Sequence, residues 1–161
     1  YAQDYAKSLN NVEFSIFDIG RLPLYNQDLD NDAVPEAVAE YRAALQSVDA
    51  VFIACPEHNY SMTAAMKNSL DWAKPDTWKG KTGALVGAGG GAGAARGQLA
   101  LRQCAVFLDI TFVNSPEVNI QRFAGEMESW DADGNLVSEK LQGRIADMVN
   151  RLHTLTLKLK A

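Results

Sequence analysis

The sequence contains few of the residues on which disulfide scaffolds and metal centres depend. Two cysteines and two histidines occur among 161 residues. Neither histidine lies near carboxylates or cysteines at ligand spacing, which argues against a zinc or iron site, so no metal is expected. Cys55 and Cys104 both lie in apolar surroundings, where a reduced core cysteine is more common than a disulfide partner. We therefore expect a protein of a reducing compartment, the cytoplasm.

Long apolar runs and an excess of positive charge are also missing. No apolar run approaches the roughly 18 residues that a membrane helix needs, so no membrane span is expected. The formal net charge of -5 and the pI near 5.0 argue against non-specific nucleic-acid binding, which needs clustered Lys and Arg. No secretory signal is visible, although the sequence does not begin with Met, so a removed leader stays open.

Strand-like segments recur along the chain. The apolar runs at Ala50–Ala54 and 82–87 are typical of strands buried on both faces of a parallel sheet. Residues 12–17 alternate between apolar and polar, which indicates a strand near a sheet edge. Residues 110–113 predict a further strand. We expect these four strands to belong to one sheet.

Helix-like segments separate these strands. Helices are predicted at the start of the chain and over residues 35–47, 63–72, 94–107 and 137–157. In the helix over 94–107 we expect Leu99, Cys104 and Val106 to point mostly inward. Alternation of strands and helices indicates a parallel sheet with helices on both faces. With 47% apolar content, residues 1–161 are expected to form a single α/β domain.

The order of elements matches a doubly wound sheet of flavodoxin type, with one difference at the start. Such a sheet has the strand order 2-1-3-4-5, and this sequence opens in a helix, so the central first strand is not among its residues. One strand and most of a helix need about 25–30 residues, and we expect that much natural chain before Tyr1.

A dense polar and aromatic loop follows the first buried strand. It consists of Pro56, Glu57, His58, Asn59, Tyr60 and Ser61. Open α/β sheets bind ligands at the carboxyl ends of their strands. Tyr60 offers an aromatic face, and Asn59 offers both a donor and an acceptor, a combination that can bracket a planar heterocycle. The alternative is a solvated loop that merely connects two elements.

A glycine-rich loop follows the second buried strand and opens a helix. Its residues include Ala88, Gly89, Gly90 and Gly91. Backbone N–H groups at a helix start suit anionic or electron-rich ligand edges, and the missing side chains let a flat ring approach. A tightly packed turn is the alternative. A dinucleotide fingerprint does not fit, because Asp109 lies before the next strand rather than at its carboxyl end.

These segments together resemble a known family. Residues 56–61, followed by Ala-Met-Lys-Asn-Ser-Leu-Asp-Trp at 65–72, are similar to the "PEYN-S…LKNAIDW" signature of the NAD(P)H-dependent FMN reductases. That family has a flavodoxin-like fold and includes quinone, chromate and azo-dye reductases. The resemblance extends to residues 24–29, to the triple glycine with Arg96 and to residues 131–136. The chain most resembles the NADPH:quinone oxidoreductases of plants and algae.

The resemblance implies an FMN cofactor across the carboxyl edge of the sheet. Residues 56–61 would contact the isoalloxazine ring near its N5 atom, and residues 88–91 would approach the pyrimidine side. The phosphate is normally held by a Ser- and Arg-containing loop after the first strand, and that loop is not in this sequence. Position 58 is usually Tyr in this signature and is His here, which changes the surface that would face the ring.

The resemblance also implies an activity. NADPH, or NADH, would deliver a hydride to the flavin, and a quinone-like acceptor would take two electrons, with no side chain acting as a catalyst. Arg96 is a candidate for binding the nucleotide phosphates, and a solvated helix charge is its alternative. Family members are dimers or tetramers, so a homo-oligomer is expected. The alternative functions are a flavodoxin-type electron carrier and a flavin-free interaction protein.

Overall fold

The computed structural model describes residues 1–31, 33–123 and 129–161 of the chain. Its β-strands within those ranges are β1 (Ala50–Ala54), β2 (Glu57–His58), β3 (Ser61–Met62), β4 (Thr82–Gly89), β5 (Thr111–Phe112) and β6 (Val118–Gln121). Its α-helices there are α1 (Ala2–Ala6), α2 (Glu36–Ser47), α3 (Ala64–Trp72), α4 (Pro75–Trp78), α5 (Ala95–Leu108) and α6 (Glu139–Lys160). Short 3-10 helices also occur at Ile19–Arg21 and Gln27–Leu29.

A parallel sheet centred on β4 organises these elements. All of β1 pairs with one edge of β4, from Ala50 opposite Thr82 to Ala54 opposite Val86. On the other edge, β5 pairs with the start of β4 and β6 pairs with its end. Because all these pairings are parallel, the carboxyl ends of β1, β4 and β6 lie at one edge of the sheet. The predicted α/β class with a parallel sheet is confirmed.

Helices cover both faces of the sheet, and a cluster of buried side chains lies under each. On one face, Leu85 of β4 packs with residues of α2, α3, α4 and α5, including the fully buried Trp72. On the other face, Ala84 packs with residues of α1 and α6, including Met148. Neighbouring residues of β4 thus point to opposite clusters, as the two-residue period of a strand requires.

The helix starts follow the capping preferences that the sequence shows. The Thr63 hydroxyl accepts a hydrogen bond from the Met66 N–H, and the Ser138 hydroxyl accepts one from the Leu141 N–H. Pro35 directly precedes α2, where its missing N–H costs nothing. The helices predicted over 35–47, 63–72, 94–107 and 137–157 are therefore confirmed to within a few residues.

None of the helices in the described ranges is both long and apolar enough to cross a membrane.

Residues 12–17 do not form a strand, so this prediction is wrong. Their alternating pattern does direct burial, since Val12 and Phe14 pack against one cluster and Phe17 against the other. The Phe14 ring lies 6.2 Å from the ring of Phe52 in β1. Within the described part of the chain, however, these residues pair with no other strand. A strand needs a neighbour that completes its ladder, and alternation alone does not supply one.

The buried face of α5 also differs from the prediction. Leu99 and Val106 were expected to point inward and are exposed, and Cys104 is half-buried. The inward positions are instead Gln98, Leu101, Ala105 and Leu108. Gln98 is buried because its side-chain amide donates a hydrogen bond to the Val118 carbonyl at 3.0 Å. The polar Gln98 is therefore buried in place of the apolar Leu99, because its side chain has a backbone hydrogen-bond partner.

Candidate functional site

Three chain segments meet at the carboxyl edge of the sheet. The segment at 55–62 follows β1, the glycine loop ends β4, and Arg122 and Phe123 follow β6. A methyl group added at Gly89 would lie 3.2 Å from the Glu57 Cβ, and one at Gly90 would lie 3.6 Å from the Phe123 ring. The glycine loop therefore lies between the other two segments. Ligands of open α/β sheets bind at this edge.

The segment after β1 is a tight β-hairpin. Strands β2 and β3 pair antiparallel, with His58 opposite Ser61. The turn residues Asn59 and Tyr60 have φ angles of 49° and 68°, so both adopt the left-handed conformation of a type I′ turn. That conformation is common for Asn and strained for Tyr, and strained residues concentrate at functional sites. The turn leaves the Tyr60 side chain 75% exposed at the tip.

Glu57 turns away from this exposed tip and caps helix α5. Its side chain is only 5% exposed. The carboxylate accepts hydrogen bonds from the Arg96 N–H at 2.9 Å and the Gly97 N–H at 3.4 Å, two of the amides that a helix start leaves unpaired. It also accepts one from the Arg96 Nε at 2.6 Å and contacts the other guanidinium nitrogen. The Arg96 hydrogen bond is the main reason why the pKa of Glu57 lies below its usual value.

Arg96 joins this carboxylate to the tip of the hairpin. Its guanidinium carbon lies 3.7 Å from the centroid of the Tyr60 ring, in a cation–π contact. The hydrogen bond to Glu57 raises the pKa of Arg96, so the guanidinium stays charged. Glu57, Arg96 and Tyr60 thus form one array, which we call the hairpin clamp. The clamp joins β2, the turn and the start of α5.

The glycine loop has an inner part that packs and an outer part that is open. A methyl group at Gly87 would lie 2.1 Å from the Cys55 carbonyl oxygen, and one at Gly89 would lie 1.8 Å from the Gly93 carbonyl oxygen. Only glycine permits such close approaches between backbone segments. By contrast, a methyl group at Gly91 would meet no atom of the described residues within 4 Å. The packed-turn alternative therefore explains Gly87 and Gly89, whereas the described part of the chain leaves the space beside Gly91 open.

Every residue predicted for the site lies at this edge of the sheet. The hairpin carries Pro56 to Ser61, with His58 and Asn59 exposed; the end of β4 and its loop carry Ala88 to Gly91; and Arg96 lies in the first turn of α5. Two residues point differently from the expectation. Glu57 is engaged by α5, and Arg96 is engaged by Glu57 and Tyr60. The roles of these residues toward a cofactor stay predictions.

Sequence reasoning missed two residues at this edge, Arg122 and Phe123. The Arg122 N–H donates a hydrogen bond to the Gly89 carbonyl at 2.9 Å, which ties the segment to the glycine loop. The Phe123 ring is 76% exposed, and the Arg122 guanidinium lies 5.9 Å from its centroid. The signal was the alternation of apolar and polar residues at 118–121, which marks β6 and places the next two residues at its carboxyl end.

The residues present fit the ring of a flavin. The exposed Tyr60 side chain stands beside a loop whose outer glycine leaves room for a flat molecule. Main-chain N–H groups of the glycine loop suit the carbonyl edge of such a ring. The buried thiol of Cys55 lies beneath this surface, and burial raises its pKa, so it is not a reactive nucleophile. These features of the edge therefore indicate ligand binding rather than nucleophilic catalysis by Cys55.

Comparison with known proteins indicates the same family that the sequence resembles. The family model of NADPH-dependent FMN reductase matches residues 1–125. The chain is similar to the NADPH:quinone oxidoreductase of Arabidopsis thaliana, with 38% identity over 157 residues that cover 96% of this chain and 80% of the relative. It is also similar to the NAD(P)H:quinone oxidoreductase of Solanum tuberosum, with 40% identity over 156 residues, or 95% and 80% of the two chains.

Solved structures support both the family and the fold. The flavoenzyme NAD(P)H:(acceptor) oxidoreductase FerB from Paracoccus denitrificans superposes with a TM-score of 0.82 and 34% identity, covering 98% of this chain and 86% of that chain. An NADH:FMN oxidoreductase structure has a TM-score of 0.69 at 15% identity and 96% and 78% coverage, which speaks for the fold alone. These matches confirm the flavodoxin-like fold expected from the sequence.

The enzyme class follows from these matches. The family description names both FMN and NADPH, which are the expected cofactor and co-substrate. The relatives are oxidoreductases, and each is similar to this chain over most of its length. The expected class, an NAD(P)H-dependent FMN and quinone reductase, is therefore confirmed. The chain belongs to the NADPH-dependent FMN reductase family.

Proposed function

We propose that this chain binds FMN at the carboxyl edge of its sheet and reduces quinone-like acceptors with NADPH. The observation that carries the proposal is the meeting of the hairpin and the open end of the glycine loop at one edge. In the overall reaction NADPH, a proton and a quinone give NADP⁺ and a hydroquinone. The two electrons that the nicotinamide loses are the two that the quinone gains.

When bound, FMN supplies the hydride and electron-transfer chemistry, and the chain supplies orientation and electrostatics. The hairpin residues Pro56 to Ser61 would line the ring, with the strained turn holding Tyr60 at its tip. The backbone N–H groups of residues 88–91 would donate to the carbonyl edge, where negative charge develops on reduction. The role proposed for Glu57 is indirect, because its carboxylate holds the start of α5.

Arg96 is the proposed contact for the phosphates of NADPH. Its side chain is partly exposed beside the hairpin tip, and its pKa is raised. Since Glu57 already holds one edge of the guanidinium, the side chain is ordered before a nucleotide arrives. A preorganised cation loses less conformational entropy on binding than a free one. This ordering supports a binding role over that of a solvated helix charge.

The setting of the protein is proposed on the same grounds. Residues 1–161 would act as one domain, in the cytoplasm, without nucleic acid as a partner.

The acceptor is proposed to be a small quinone, because curated relatives carry that substrate in their names. A homodimer or homotetramer is proposed from the family resemblance, and the exposed Leu99 and Val106 on α5 offer an apolar face for it. Light scattering at micromolar concentration should report more than a monomer.

The proposal is tested by the visible spectrum of the purified protein with FMN. We expect bound flavin absorbance, loss of that absorbance when NADPH is added without oxygen, and recovery when a benzoquinone follows. Steady NADPH oxidation with the quinone alone, and without an accessory reductase, separates an enzyme from an electron carrier. A protein that stays colourless after incubation with FMN and gel filtration would contradict the proposal and favour a flavin-free interaction protein.

A further inference from the structure

We propose that Phe123 is a specificity-determining residue that stacks against planar acceptors at the site. The inference rests on the proposed function and adds to it the part of the chain that distinguishes a flat quinone from other oxidants. It starts from the position of the ring. Phe123 directly follows the residue whose N–H donates to the Gly89 carbonyl at 2.9 Å, so its backbone is fixed to the glycine loop.

The Phe123 ring is exposed at the edge of the sheet where ligands of such folds bind. The ring is 76% exposed, although it lies close to Gly90. A phenylalanine stabilises a fold by burial, and an exposed one at a ligand-binding edge offers apolar surface to a ligand instead. Its neighbour Gly90 has no side chain, and among residues 1–31, 33–123 and 129–161 no atom lies within 4 Å of a methyl group built at Gly91. A flat molecule can therefore approach the Phe123 ring across the glycine loop.

The two exposed aromatic residues of the edge are not equivalent. Tyr60 already carries the Arg96 guanidinium on its ring at 3.7 Å, and Arg96 is in turn held by Glu57. Phe123 has a looser cationic neighbour, the Arg122 guanidinium at 5.9 Å from its centroid. The two residues are equally exposed, but a guanidinium covers one face of the Tyr60 ring more closely than Arg122 covers the ring of Phe123. This asymmetry assigns Tyr60 to the clamp and Phe123 to the acceptor.

The chemistry of the acceptor fits this surface. A quinone is a planar, electron-poor ring, and such rings stack in an offset manner on electron-rich aromatic faces. Its carbonyl oxygens gain negative charge as it is reduced, and the Arg122 guanidinium beside the ring would favour that charge. Hexacyanoferrate(III), in contrast, is an octahedral anion that offers no face for stacking. Phe123 should therefore matter for quinones and not for hexacyanoferrate(III).

The test compares Phe123→Leu with Phe107→Leu in the FMN-loaded protein. Phe107 is a matched control because it is 77% exposed and lies about 18 Å along α5 from the first residue of that helix. The readouts are the KM for 1,4-benzoquinone, the KM for hexacyanoferrate(III), the dissociation constant of FMN and the anaerobic rate of flavin bleaching by NADPH. Leucine keeps apolar character and removes the flat face.

We expect Phe123→Leu to raise the quinone KM about two- to tenfold, with the other three readouts unchanged. Phe123→Tyr should restore the quinone KM, and Phe107→Leu should behave as the wild type. An unchanged quinone KM, or an equal rise for hexacyanoferrate(III), would overturn the inference while leaving the proposed function intact. Weaker FMN binding would also overturn it, because the ring would then contact the cofactor. A wild type without FMN or turnover would overturn both.

Discussion

The two edges of the same sheet carry similar charged pairs in opposite settings. At the carboxyl edge, Glu57 meets Arg96 with its carboxylate nearly buried. At the amino edge, Asp49 meets Lys160 at 2.7 Å, with side chains that are 59% and 56% exposed. An exposed pair is screened by water and contributes little, whereas a carboxylate buried among backbone amides organises its surroundings. The buried pair at the carboxyl edge therefore holds the neighbouring polar groups in place, whereas the exposed pair at the amino edge does not.

The amino edge uses its polar groups to close the fold. The Lys81 ammonium donates to the Val48 carbonyl at 2.6 Å, and its burial lowers its pKa. The hydroxyls of Thr82 and Thr156 share a hydrogen bond that ties α6 to the start of β4. Each of these bonds connects elements that are already packed. At the carboxyl edge, in contrast, the bonds hold an exposed aromatic turn in place.

The largest expected difference between the edges concerns two glycines. Gly89→Ala places a methyl group 1.8 Å from the Gly93 carbonyl oxygen, and we expect it to lower the free energy of unfolding by about 3 kcal/mol or more. Gly80→Ala at the amino edge meets no atom of the described chain within 4 Å but keeps a φ of +76°, so a loss of about 1 kcal/mol is expected. Urea denaturation measures both. Equal losses would contradict the distinction between steric overlap and backbone strain.

The charged pairs themselves give the next largest effect. Glu57→Gln removes the charge that caps α5, and we expect a loss of about 1 kcal/mol in the free energy of unfolding, together with weaker FMN binding. Asp49→Asn, the matched change at the amino edge, should alter the free energy of unfolding by less than about 0.5 kcal/mol and leave FMN binding unchanged. Thermal unfolding and flavin fluorescence titration report the two quantities. Similar stability losses in the two variants would remove the basis of the comparison.

Acid should reduce the advantage of the carboxyl edge. Arg96 holds the pKa of Glu57 below its ordinary value, so ionised Glu57 stabilises the fold fully above the unfolded-state pKa of about 4.3. That contribution is lost as the pH falls through the lowered pKa. The stability difference between wild type and Glu57→Gln should be constant above about pH 5 and shrink below about pH 4. Chemical denaturation across this range measures it.

Other carboxylates titrate in the same range, so the difference between the two proteins is the informative quantity. Hydrogen bonds from Asn135 lower the pKa of Asp131, and Lys7 lowers the pKa of Asp4. Both groups are present in wild type and in Glu57→Gln, and their effects cancel. A stability difference that grows toward low pH would show that the Glu57 carboxylate does not stabilise the folded state.

The smallest effect on stability is expected at the outer glycine. The methyl group of Gly91→Ala meets no atom within 4 Å in the described part of the chain. The free energy of unfolding should therefore change by less than about 1 kcal/mol, and it can rise, because alanine restricts the unfolded chain. FMN binding should nevertheless weaken severalfold if the ring approaches this backbone. Fluorescence titration with FMN checks it. Unchanged affinity would show that the FMN ring does not approach the backbone at residue 91.

The sequence predicted the elements whose signals are local. The helix at Glu36–Ser47 has its proline at the start, the helix at Ala64–Trp72 has its threonine cap, and β4 has an uninterrupted run of small and branched residues. Residues 12–17 failed because a strand depends on a neighbour as well as on its own pattern. The segment Val118–Gln121 was missed because four residues with alternating polarity give a weak signal.

The site was predicted in its location better than in its internal contacts. The position of loops after parallel strands follows from topology, so residues 56–61 and 88–91 could be placed at one edge. The direction of Glu57 could not, because its partner Arg96 is 39 residues away along the chain. Phe123 was missed together with the strand that positions it. Contacts between distant residues depend on the packing of whole elements, which no local pattern records.

The carboxylate of Glu57 has a mechanical consequence. It grips two successive amides of α5 and the side chain of Arg96, while its own backbone forms one side of the hairpin. Hairpin and helix are therefore coupled through this carboxylate. We expect a molecule that displaces Tyr60 to move the start of α5 as well. In natural variants, an altered acid at position 57 should come with a matching change at position 96.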